Sequence, residues 1–312
     1  MSSASSKKVI YAALVGNTLI AITKFTASVI TGSSAMLSEA IHSLVDTGNQ
    51  VLLLHGLKQA EKPADKDFPF GYGKEIYFWS FVVAILIFAL GAGISIYAGI
   101  QHILKPELIT NPMINYIVLG LALIFEGVAW YMALREFRKS KGKWGYLKAV
   151  QRGKDPSIFV VLFEDSAALL GLIIAFLGVF LAQVTGILWF DGLASVIIGL
   201  ILGSTAVWLA IETKGLLIGE SANSEVNQEA QKIAASYPGV EYVNEVLTLH
   251  MGPGFILINI SINFVDEVSV TEVEQTIAAI DSEIKSKNPL VKRVFIEAES
   301  RRAFTKSSSV VD

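Results

Sequence analysis

Over the first two thirds of the chain, apolar runs long enough to cross a bilayer alternate with short polar breaks, and then the pattern changes. A helix needs about 20 mostly apolar residues to cross roughly 30 Å of hydrocarbon. Segments near residues 9–30, 35–57, 76–103, 113–134, 157–183 and 189–209 meet that length, so six spans are expected. TGSS, LKPELITN and VTGILWFD form short connections on one side. KQAEKPADKDFPFGYGK and REFRKSKGKWGYLKAVQRGKD form longer, charged connections on the other. The start, MSSASSKKVIYAALVGNTLIAI, superficially resembles a signal peptide. Its apolar run continues to about Ile30 without an A-x-A-type site, so it reads as a retained first helix.

Beyond residue 215 the periodicity becomes that of a small α+β unit. SEVNQEAQKIAASYPGV has helical spacing and a Pro-Gly stop, and VEYVNEVLTLHM and GFILINISINFV alternate as strands around a GPG turn. An amphipathic helix over about 270–285 and a last strand, VKRVFIEAE, follow. The order helix, strand, strand, helix, strand is consistent with a ferredoxin-like half-split arrangement. The expected fold is therefore a membrane all-α six-helix transmembrane bundle followed by a small cytoplasmic α+β (ferredoxin-like) domain. Residues 1–215 are expected to form the six-helix transmembrane domain, 216–303 the cytoplasmic domain and 304–312 a disordered tail.

Composition agrees with lipid as the solvent: hydrophobic residues make up 53%, charged residues only 17%, and the mean hydropathy is +0.54. Lys7, Lys8, Lys58, Lys62, Lys66 and Lys74 share one side with the basic residues of the second long loop, whereas Lys105 lies opposite. The positive-inside rule then puts both termini in the cytoplasm, or its topological equivalent in an organelle, and a plasma or inner membrane is expected. No basic stripe with interleaved aromatics appears, which argues against nucleic acid as a partner. Without any cysteine, disulfides and thiolate ligands are excluded, and any metal is held by oxygen and nitrogen.

Ionisable groups inside lipid-spanning helices cost about 2.5–3.5 kcal/mol each on insertion scales, so each needs a partner or a purpose. His42 and Asp46 stand at i and i+4 in the second helix and share one face. Glu164 and Asp165 lie inside an apolar run in the fifth. One imidazole with three carboxylates suits a divalent cation such as Zn, Fe, Co or Mn, and the lack of thiolate or clustered Met argues against Cu(I). The plainer reading is that these groups only pair with one another as bundle glue. Glu39 and Asn49, one turn to either side, are candidates to orient the ligands, Glu39 also as an entrance carboxylate. Lys24 and Asn17 read as interhelical hydrogen-bonders, with snorkelling as an alternative for Lys24. Glu126 reads as another hydrogen-bonder or part of a proton path, and His55, His102 and His250 as structural.

HSLVDTGNQ, FPFGYGKE, the acidic fifth helix, and YPGV with the following HMGPG hairpin together resemble the cation diffusion facilitator family over nearly the whole chain. The resemblance implies six transmembrane helices with a cytoplasmic ferredoxin-like domain, a homodimer through both, and exchange of a divalent metal, often zinc, against protons. It assigns His42, Asp46 and Asp165 as metal ligands. Val161 stands where many zinc members carry His or Asp, and Glu164, about 60° away on the helical wheel, is the expected substitute. Swapping imidazole for oxygen moves preference towards harder ions such as Mn or Fe(II). Phe68 and Tyr72 stand where some members have histidines, leaving Asp65 without co-ligands. Asn244, Asn259, Glu297 and Glu299 stand where metal-sensing members have His or Asp. Lys74 resembles a basic residue that makes a charge contact near the dimer interface; a solvated lysine is the alternative.

The expected function is a divalent metal cation efflux transporter working by proton-coupled alternating access, with the metal as substrate and no organic cofactor. The alternative is a non-transporting membrane metal sensor or scaffold acting through its cytoplasmic domain. A passive channel would show flux without saturation or pH coupling. No serine or cysteine nucleophile is placed with a base, so an enzyme is not expected.

Overall fold

The computed structural model describes residues 3–106, 108, 111–140, 145 and 156–308. The second charged loop therefore lies almost wholly outside the described residues. The chain divides into two units. One comprises the chain up to Gln59 together with Glu75–Lys214, and the other comprises Ala60–Lys74 together with the chain from Gly215 onward.

The first unit is built from long helices: α1 (Ser3–Thr31), α2 (Ser34–Ala60), α3 (Glu75–Leu104), α4 (Pro112–Ser140), α5 (Pro156–Thr185) and α6 (Trp189–Ile218). Gly32, at φ +71°, takes the left-handed conformation that lets the chain reverse between α1 and α2 within a few residues. A π-helical turn, Ile87–Ala92, interrupts α3. Five of these helices are long and apolar enough to cross a membrane, and α2 is the exception. Six spans by length and hydropathy were expected. The difference arises because α2 buries Ser34, Ser38, Glu39, His42, Ser43, Asp46, Asn49 and Gln50, which lower its hydropathy. Large apolar side chains such as Val29, Tyr97, Ile124 and Val184 point outward and are exposed, as lipid-facing groups are in a membrane bundle.

Helices α3 and α6 approach backbone to backbone. A Cβ on Gly99 would meet Gly192 O at 2.6 Å, one on Gly192 would meet Gly99 O at 2.8 Å, and one on Gly199 would meet Ala92 O at 3.0 Å. Small residues at such crossings drive packing where no hydrophobic force between helices exists.

In the second unit the order is α7 (Ser224–Ala235), β1 (Val240–Gly252), β2 (Phe255–Phe264), α8 (Val270–Lys287), β3 (Val291–Ala298) and α9 (Arg301–Ser308). The sheet order is β1-β2-β3, with β1 antiparallel and β3 parallel to the central β2. This is the element order of a ferredoxin-like unit lacking its first strand. Ile256, Ile258, Ile260 and Ile262 alternate onto one buried face of β2, in one core with Ala230, Ile233 and Ala234 of α7 and Ile280 and Ile284 of α8. A capping box starts α8: Glu272 N donates to Ser269 Oγ at 3.3 Å, and Ser269 N donates to Glu272 Oε2 at 2.9 Å.

Two boundaries differ from those read in the sequence. Residues 60–74 group with the second unit because Gly73 packs against Met251 O and Gly252, and Phe70 meets Phe295 edge-on at 6.5 Å. The segment expected to be a disordered tail from residue 304 instead begins inside helix α9, which Arg301 fastens to the sheet. Arg301 N donates to Asn263 Oδ1 at 3.0 Å, and its guanidinium lies 4.4 Å from the Tyr242 ring centre.

Candidate metal site and its neighbours

Helical spacing brings His42 and Asp46 together on α2: His42 Nδ1 stands 3.3 Å from Asp46 Oδ1, with both residues buried. From α5, Glu164 meets the same surface. Asn49 Nδ2 donates to Glu164 Oε1 at 2.6 Å, and the carboxyl groups of Asp46 and Glu164 lie within hydrogen-bonding reach. Asp165 is partly exposed and within electrostatic range of Asp46 and Glu164. Both nitrogens of His42 and Asp46 Oδ1 are buried without a hydrogen-bond partner among the described residues. Buried polar atoms are normally satisfied, so these are donor atoms available to a cation.

The arrangement is pairwise, not a finished cage. Among the described residues, no group of three or more His, Asp and Glu residues is disposed to hold a metal ion. The structure thus brings together His42, Asp46, Glu164 and Asn49, and leaves Asp165 beside them. Glu39 does not join that group. It turns to Lys24, whose ammonium donates to Glu39 Oε2 at 3.0 Å, Ser43 Oγ at 2.9 Å and Glu126 Oε1 at 2.8 Å. Sequence reading singled out these three charged residues one by one but not their meeting. The available signal was that each is a rare charge within an apolar run.

Sequence reading did not single out Asp191 at the start of α6, which is fully buried. It accepts from Ser33 Oγ at 2.6 Å, Ser34 N at 2.6 Å, Ser34 Oγ at 2.8 Å and Ala35 N at 3.3 Å, and so caps the N-terminus of α2 from another helix. His102 Nε2 lies 3.7 Å from Asp191 Oδ2. His55 is exposed and meets the Trp79 ring at 4.8 Å.

In the second unit, Asp65 is engaged by its own loop: it accepts from Asp67 N at 3.0 Å, Phe68 N at 2.8 Å and Tyr72 O–H at 2.6 Å. The Tyr72 hydroxyl, followed by the Phe68 amide, holds the Asp65 carboxyl below its ordinary range. Asn244 donates to Ser261 Oγ at 3.0 Å and Glu299 O at 2.9 Å, and Ser261 donates to Glu299 Oε2 at 3.1 Å. Lys74 is half-buried at the end of residues 60–74.

Five long apolar helices beside one polar helix, with acids and an imidazole gathered at buried depth, are the architecture of an integral membrane protein. The chain belongs to the cation efflux family, since residues 10–218 match the cation efflux transmembrane domain. Among its relatives is the "Proton-coupled zinc antiporter SLC30A9, mitochondrial" of Mus musculus, 35% identical over 259 residues, covering 82% of this chain and 46% of the relative. "Metal tolerance protein C4" of Arabidopsis thaliana is 29% identical over 83% of this chain and 57% of its own length. The "Manganese efflux system protein MneP" of Bacillus subtilis is 22% identical over 93% of this chain and 95% of its own. The chain spans about half the length of the SLC30A9 relatives it matches.

Proposed function

We propose that this chain exports a divalent metal cation, zinc foremost with Mn, Fe and Co as alternatives, by proton-coupled alternating access. The observation that carries the reading is the burial of His42 and Asp46 of α2 together with Glu164 of α5, with donor atoms left over on His42 and Asp46. These three residues and Asp165 are the ligands in this reading. Asn49 orients Glu164, and Asp165 closes onto the ion as α2 and α5 shift. Two carboxyl groups as close as Asp46 and Glu164 share a proton, and a divalent cation takes its place. Ligation also needs a neutral imidazole, so ion binding and proton binding compete. The relatives named for zinc antiport and manganese efflux support this substrate class.

The reading further places six helices across the bilayer, α2 among them, with both termini and the ferredoxin-like unit on the cytoplasmic side of a plasma or inner membrane. It makes the protein a homodimer, with Lys74 at a charge contact near the interface. The test is metal-resolved flux in proteoliposomes under an imposed pH gradient. Saturable, gradient-dependent zinc movement is expected, abolished by His42→Ala, Asp46→Ala or Asp165→Ala. Flux that survives all three together would mean that the ion binds elsewhere.

A further inference from the structure

Lys24 of α1, Glu39 of α2 and Glu126 of α4 meet away from bulk water: Lys24 and Glu39 are 0% exposed and Glu126 7%. The three donors of the ammonium are all spent, on one oxygen of each carboxylate and on Ser43 Oγ. With every member ionised, the cluster holds two negative charges against one positive. An uncompensated charge buried in a bundle is costly. The second oxygens, Glu39 Oε1 and Glu126 Oε2, are buried without a hydrogen-bond partner among the described residues.

The space beside one of them decides what compensates. Glu39 Oε1 lies against Gly171 of α5 so closely that even a Cβ there would collide with it. A hydrogen atom fits in such a slot and a metal ion with its coordination shell does not. Ser43 immediately follows His42, so the ammonium is bonded to the residue next to the proposed metal ligand. The charged and titratable groups around the cluster are Lys24 from α1, Glu39, His42 and Asp46 from α2, Glu126 from α4, and Glu164 and Asp165 from α5.

We propose that the Lys24–Glu39–Glu126 cluster is a proton-carrying site of the transport cycle, distinct from the metal ligands, in which one proton is held on Glu39 Oε1 opposite the Lys24 ammonium. Arrival of a divalent cation at His42 and Asp46 brings positive charge close to the cluster, and the proton leaves to water. Its return weakens the hold on the cation by the same coupling, since linkage is reciprocal. This inference rests on the antiport reading above.

Zinc binding to the purified full chain, measured between about pH 6 and about pH 8 in buffers of different ionisation heat, counts the protons released per ion. Glu39→Gln and Glu126→Gln each leave a neutral pair with Lys24, and glutamine has the shape of a protonated glutamate, so both variants are expected to fold and bind zinc. Each should release about one proton fewer per ion than the parent protein, while Lys24→Arg retains the parental count. Parental counts in both glutamine variants overturn the cluster's role and leave the antiport reading standing. Loss of folding or zinc binding in both would also overturn it, because a carboxyl that carries a proton tolerates its amide. If the parent protein itself releases no protons, the antiport reading fails and this one with it.

Discussion

Asn49 Nδ2 donates to Glu164 Oε1 at 2.6 Å, tying α2 to α5 one turn beyond Asp46. Asn49 has neither charge nor metal affinity of its own to speak for it. What it does is fix which way a carboxylate on another helix points. Partners of this kind typically contribute about 10- to 100-fold in metal affinity. Asn49→Ala is therefore expected to weaken zinc binding by about that factor with the protein still folded. Asn49→Asp should be worse than alanine, because it sets a second negative charge against Glu164. Calorimetric titration of the three proteins checks the order.

The α3–α6 crossing gives a prediction about packing. Gly192→Val would place side-chain atoms where Gly99 O and the Ile103 backbone already stand, at 2.8 and 2.9 Å from a Cβ. Overpacking of this kind costs about 1–3 kcal/mol. The thermal midpoint in detergent should fall clearly, whereas Gly120→Ala in α4, with nothing within 4 Å of the new Cβ, should leave it unchanged.

Local patterns carried most of what was legible in the sequence. His42 and Asp46 meet because i and i+4 share a helix face, and β1, β2 and β3 follow from alternation that each strand shows by itself. Contacts between distant parts of the chain were not legible. Lys24 finds Glu39 across 15 residues and Glu126 across 102, and Asp191 finds Ser34 across 157. No periodicity announces such pairs. Hydropathy sets α2 apart from the other five helices for a physical reason: it buries Ser34, Ser38, Glu39, His42, Ser43, Asp46, Asn49 and Gln50, polar groups that lower its mean hydropathy. The short amphipathic α9 escaped notice because its composition is polar, and the ring of Tyr242 that anchors it lies 59 residues away in the chain, the difference between 301 and 242.

The capping box of α8 predicts a pH dependence. Hydrogen bonds from the Ser269 hydroxyl and then its amide hold the Glu272 carboxyl below its ordinary range. A carboxyl depressed in the folded state stabilises that state above its unfolded value, and the contribution is lost as pH falls through the folded one. Amide exchange in the first turn of α8 should thus be faster in Glu272→Gln than in the parent at neutral pH, and the two should converge in acid. Ser269→Ala, which removes the hydroxyl, is expected to cost about 1 kcal/mol. A gap between Glu272→Gln and the parent that widened in acid would contradict the assignment.

Asp191 supplies the last prediction, and it joins stability to transport. Its carboxylate takes four hydrogen bonds from Ser33, Ser34 and Ala35 at the positive end of α2, the helix that presents His42 and Asp46. Asp191→Ala leaves those donors buried and unmet, at about 1–3 kcal/mol for each that finds no water. It also removes a negative charge from a helix N-terminus. The thermal midpoint should drop, and zinc flux should fall with it because the start of α2 is no longer held. Asp191→Asn keeps one accepting oxygen and should lie between the two. Glu164 is not part of this cap, so zinc affinity per folded molecule should change less in Asp191→Ala than in Asn49→Ala. An Asp191→Ala protein that melts and transports like its parent would show that α2 is anchored by its packing alone.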